Sequence, residues 1–160
     1  MQLFKGIRRP VERVCVAGIP VRADRRWFVV LALMTAVTAA SINAQVRNWA
    51  ASIGLGAATT LIFFLSIFLH ELAHAIIARL ERLEVVEIVL HPFGGLTRFA
   101  REPQTPRAEF RIAIAGPVAS FALAVMFVLL MALANTGELD VLRDLLFLLA
   151  LANFLLAVFN

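Results

Sequence analysis

The chain has 160 residues, 61% of them hydrophobic, with 13 Phe, no Tyr and a mean hydropathy of +0.87. That apolar share lies outside the range of soluble domains and points to an integral membrane protein. The net charge of +4 and pI near 10.9 do not indicate nucleic acid, because the basic residues flank apolar runs instead of forming a domain of their own.

Residues 1–26 hold seven of the fifteen Lys/Arg, Lys5, Arg8, Arg9, Arg13, Arg22, Arg25 and Arg26, against Glu12 and Asp24. Within this basic segment the stretch from Val14 to Arg22 is β-prone and punctuated by Gly18 and Pro20, which predicts a short edge strand against the membrane surface. The single cysteine, Cys15, lies there and cannot form an internal disulfide; it is expected to be a reduced, unpaired thiol. No cleavable signal peptide is expected, since the first long apolar run begins only at Trp27.

From residue 27 onward the pattern predicts a membrane core with spans at about 27–46, 55–79, 112–134 and 141–160. Trp27 and Trp49 are expected near the two interfaces of the first. Between spans two and three, the residues from Val85 to Leu90, Gly94-Gly95, and Leu96 to Phe99 read as a β-hairpin whose glycines supply positive φ at the turn. The expected fold is therefore a polytopic α-helical membrane protein of about four transmembrane helices, with a short membrane-associated β-hairpin between helices 2 and 3. In span three, Gly116 and Ser120 form a small-xxx-small face where another helix can come close, and Pro117 is expected near the helix start. The last run is interrupted by Asn153 and stops at Asn160 without a polar exit, as expected of a sequence cut short.

Basic residues are distributed unevenly: seven precede span one, only Arg47 lies between spans one and two, and six, Arg79 to Arg111, lie between spans two and three. The positive-inside rule then puts the N-terminus, residues 80–111 and the C-terminus in the cytoplasm of a multi-pass cell-membrane protein.

The second span contains His70-Glu71-Leu72-Ala73-His74. Residues four apart on a helix share a face, so both imidazoles can hold one metal ion. Glu71 stands where it can take a proton from water at that metal, the arrangement of H-E-x-x-H zinc hydrolases. Ionisable groups in so apolar a run are expensive in lipid and mark function by default. Counting from Arg79 sets the pair roughly 7 to 14 Å inside that end of the helix. Two histidines leave a catalytic zinc one protein ligand short. Glu81, Glu84 and Glu87 lie beyond the helix end, Asp140 and Asp144 at the opposite face, and His91 is either a donor or a turn histidine.

His70-Glu71-Leu72-Ala73-His74, then Phe93-Gly94-Gly95, then Ala115-Gly116-Pro117-Val118-Ala119-Ser120, then the run from Asn153 to Asn160 together resemble the site-2 protease family of intramembrane zinc metalloproteases. Gly18 to Arg22 is similar to the bacterial and archaeal branch, whose members often carry CBS domains. The resemblance implies Zn2+ bound by His70 and His74, water activation by Glu71, and a third ligand from an aspartate in a motif that Asn160 would open. It also implies cleavage of a single-span transmembrane protein, releasing a cytoplasmic fragment. The hairpin at Gly94 and Gly95 is expected to receive the unwound substrate as an added strand, and Asn153 and Asn160 are expected at the substrate; for Asn153 a plain helix–helix hydrogen bond is the competing expectation. Expected partners are that substrate and the lipid bilayer, with room for a homo-oligomer. Two other functions compete. One is a catalytically inactive relative, or a piece lacking the third ligand, that binds membrane helices; the other is a metal transporter, which should carry ligands along more than one span, whereas the predicted first and third spans have no His, Asp or Glu.

Overall fold

A computed structural model describes residues 14–16, 18–91, 94–134 and 140–159. The described elements are β1 (Val14–Val16), β2 (Ile19–Ala23), α1 (Arg26–Val46), α2 (Trp49–Leu80), β3 (Val85–His91), β4 (Gly94–Phe99), α3 (Pro106–Leu133) and α4 (Asp140–Phe159). All four helices are long and apolar enough to cross a membrane. Phe28, Val29, Leu33 and Val37 of α1 and Val118, Phe121, Val125 and Leu129 of α3 are exposed, a surface suited to hydrocarbon and not to water.

The helices extend past the apolar runs because their first turns are built from capping residues. Asn48 accepts a hydrogen bond from the Ala51 amide at 3.1 Å and starts α2 at Trp49, six residues before the expected position. Thr105 accepts from the Ala108 amide at 3.2 Å, with Pro106 opening α3. Pro117 consequently lies inside α3, not at its start. It has no N–H to offer the carbonyl of Ala113. Helices α1 and α2 meet closely at Gly56, where a Cβ would run into the α1 backbone at Thr35 and Ala39.

The β structure is larger than a hairpin. Four strands form one sheet in the order β1-β2-β3-β4, with β1/β2 and β3/β4 antiparallel and β2/β3 parallel, Val21 opposite Ile88. The segment expected to give one edge strand makes two, turned at Gly18 with φ 72°, and β2 lies inside the sheet. A parallel pair needs a crossover, here supplied by α1 and α2 together. The Gly pair is also not the turn: Gly94 pairs with His91 and Gly95 with Leu90, so both belong to β4; Phe93 lies outside the described residues. Glu87 joins three strands through Arg22 at 3.2 Å and Arg98 at 3.1 Å.

The sheet packs on the second half of α2. Ile19, Val85 and Ile88 close against Ala75 and Ala78, with Leu83 and Ile112 completing this core. Arg79 donates to the Gly18 carbonyl at 2.9 Å, and Arg111 at the start of α3 pairs with Glu81 just past α2 at 2.9 Å. A second core, Phe127, Leu149 and Ala150 with Phe63, Leu123 and Leu146, joins α2, α3 and α4. The second half of α2 is thus held between a sheet on one side and α3 on another, and the histidines lie there.

Candidate metal centre

His70 and Glu71 are buried and His74 is half-buried. The i, i+4 spacing brings the two imidazoles together with Nε2 atoms 3.1 Å apart. Two nitrogens each about 2.0–2.1 Å from one zinc ion would stand at about this separation.

What fixes the rings comes from α3. His74 Nδ1 lies 2.6 Å from the Ile112 carbonyl oxygen; a carbonyl only accepts, so Nδ1 carries the proton and Nε2 is left with a lone pair. His70 Nδ1 lies 2.8 Å from the buried Ser120 hydroxyl, whose oxygen can accept a hydrogen bond from Nδ1–H in the same way. Such partners orient metal-binding histidines and set their tautomers. Gly116 sits between these two contacts, and a Cβ there would fall onto both Nε2 atoms. The small-xxx-small face of α3 therefore makes room for imidazoles.

Glu71 is one residue on from His70, about 100° around the helix, and faces β4. The Thr97 hydroxyl donates to Glu71 Oε2 at 2.8 Å, with the Glu71 carbonyl oxygen 3.2 Å from the same hydroxyl. A Cβ on Gly95 would land on Cγ of Glu71 and meet its Cδ and Oε1. Gly95 is thus needed for close approach, while Gly94, with φ 149°, is needed for its backbone conformation. A cavity of about 340 Å³ opens between β4 and α3, lined by Glu71, His74, Gly95, Leu96, Thr97, Phe99, Pro103, Glu109, Ile112 and Ala113. The far edge of β4 has no strand partner among the described residues.

The donor chemistry and the space reserved by Gly116 fit zinc held by His70 and His74. Among the described residues no third His, Cys, Asp or Glu joins them. Glu81 and Glu87 are engaged in ion pairs, and His91 ends β3 opposite Gly94. Asn153 of α4 donates to the Ser66 hydroxyl at 3.2 Å and to the Leu149 carbonyl at 2.9 Å, one turn of α2 before His70. Asn160 lies outside the described residues. Sequence reasoning did not single out Thr97 or the contact of Ser120 with His70. A hydroxyl two residues after Gly95 in a strand, and another four after Gly116 in a helix, were the available signals.

Residues 58–140 match the sequence profile of Peptidase family M50. The chain is 36% identical over 148 residues to "Putative zinc metalloprotease Rip3" of Mycobacterium tuberculosis, covering 91% of this chain and 38% of that protein. It is 32% identical over 101 residues to "Zinc metalloprotease MJ0392" of Methanocaldococcus jannaschii, covering 62% of this chain and 28% of the relative. The solved structure "Site-2 Protease from Methanocaldococcus jannaschii" superposes with a TM-score of 0.63 at 25% identity, covering 92% of this chain and 62% of that one. The chain therefore spans well under half the length of these curated relatives.

Proposed function

Because the chain belongs to peptidase family M50, the site-2 proteases, we propose that it is the metal-binding part of an intramembrane zinc endopeptidase that cleaves the transmembrane segment of a single-span protein. The observation that carries this is the convergence of the His70 and His74 Nε2 atoms at 3.1 Å beside a carboxylate and a cavity. His70 and His74 are the residues that would hold the zinc, and the family resemblance implies a third ligand from an aspartate in a motif that Asn160 would open. When bound, zinc supplies a Lewis acid that polarises the scissile carbonyl and acidifies water.

The remaining chemistry belongs to the side chains. Glu71 accepts a proton from the attacking water and delivers it to the leaving amine. A substrate helix satisfies its own backbone groups, so it must unwind before attack, and in an apolar medium the freed groups need new partners. The open edge of β4 offers them as an added strand, next to a cavity whose lining includes Leu96, Phe99, Ile112 and Ala113 and suits apolar residues of a membrane segment. The charge asymmetry supports a cytoplasmic N-terminus and sheet, and hence release of a cytoplasmic fragment from the substrate.

The test uses the full-length protein in detergent or liposomes with a single-span reporter. Cleavage is expected to fall about 10²- to 10⁴-fold in Glu71→Gln while zinc stays bound, and His70→Ala is expected to lose the zinc. Unchanged cleavage in Glu71→Gln would overturn the proposal.

A further inference from the structure

The geometry points to Thr97 as a positioning residue for Glu71, so that β4 both receives the substrate backbone and holds the base; this rests on the protease reading above. Gly95 and Thr97 are two apart on a strand and share a face, and both meet Glu71. The first lacks a Cβ where the Glu71 side chain crosses the strand, and the second donates its hydroxyl to Oε2 at 2.8 Å. Leu96 and Arg98, on the alternate face, are exposed.

A glutamate side chain has three rotatable bonds, and its terminal torsion is broad. A general base must nonetheless stand within about 2.6–3.2 Å of the proton it takes. Thr97 ties down one carboxylate oxygen from a different element of the fold, 26 residues away in sequence. Oε1, turned toward Gly95, is left to receive the proton. Because the tether originates on β4, a substrate strand that pairs with this edge arrives in register with the base.

Thr97→Val keeps the β-branched shape and strand preference and removes only the donor. In the full-length protein it is expected to lower kcat about 10- to 100-fold, with KM and bound zinc unchanged. Thr97→Ser, which keeps the hydroxyl, is expected to restore most of kcat. A second readout does not depend on turnover: the infrared carboxylate stretch of Glu71, identified by its loss in Glu71→Gln, should shift in Thr97→Val and not in Thr97→Ser. Wild-type kcat in Thr97→Val, equal impairment in both variants, or an unmoved carboxylate band would each overturn the role of Thr97. If the parent cleaves no better than Glu71→Gln, the protease reading fails and the part assigned to Thr97 in proton transfer falls with it, whatever the infrared band reports about the contact.

Discussion

Two buried polar clusters occupy successive turns of the same helix, α2, and they differ in how they are built. At Ser66 the contact is a clasp: Asn153 of α4 donates to Ser66 and to its own Leu149 carbonyl, Ser66 donates in turn to the Ile62 carbonyl of its own helix at 3.0 Å, and both side chains are buried. At His70 to His74 three elements converge, with Ser120 and Ile112 of α3 on the rings, Thr97 of β4 on the carboxylate, and a cavity alongside. A polar group in an apolar helix is therefore weak evidence of chemistry by itself. Partners from several elements that turn lone pairs toward a shared space are stronger evidence.

The comparison can be broken or sharpened by substitution in the full-length protein. The largest effect is expected from Gly116→Ala, because its methyl group would collide with both Nε2 atoms. Zinc content should fall to background and cleavage with it, as measured by elemental analysis; full zinc retention would show that α3 does not define the metal space. An intermediate effect is expected from Ser120→Ala, which removes one partner of His70 and keeps both histidines. Zinc affinity, read by competition with a chromophoric chelator, should weaken about 10- to 100-fold, and Ser120→Thr should recover part of it.

The smallest effect is expected at the clasp. Asn153→Ala removes two donated hydrogen bonds but also an Oδ1 atom that is buried without a partner among the described residues. The net change in stability should be about 1 kcal/mol or less, measured by steric-trap or denaturant unfolding, with zinc affinity unchanged. A loss of zinc affinity as large as that in Ser120→Ala would merge the two clusters into one site.

These contrasts also explain what could be read before the fold was known. The approach of the His70 and His74 rings is legible because helical spacing alone brings i and i+4 together, and the four helices because apolar runs of that length have few alternatives. The sheet is not, since β2 pairs with β3 across more than 60 residues and no local pattern announces a parallel partner. Helix starts lie earlier than the apolar runs because Asn48 caps α2 ahead of its most apolar stretch and Thr105 extends α3 into polar sequence that hydropathy discounts. The Gly94-Gly95 pair was read as a turn because a double glycine usually marks one; its second member instead answers to a side chain 24 residues earlier, which only the packed structure reveals.

X-ray absorption at the zinc edge of the purified full-length protein tests most directly whether His70 and His74 together hold the ion. The expected spectrum has imidazole scatterers at about 2.0–2.1 Å, and zinc should be lost in the His70→Ala/His74→Ala double variant. A protein without zinc, or a double variant that keeps its full complement with the same spectrum, would contradict the account.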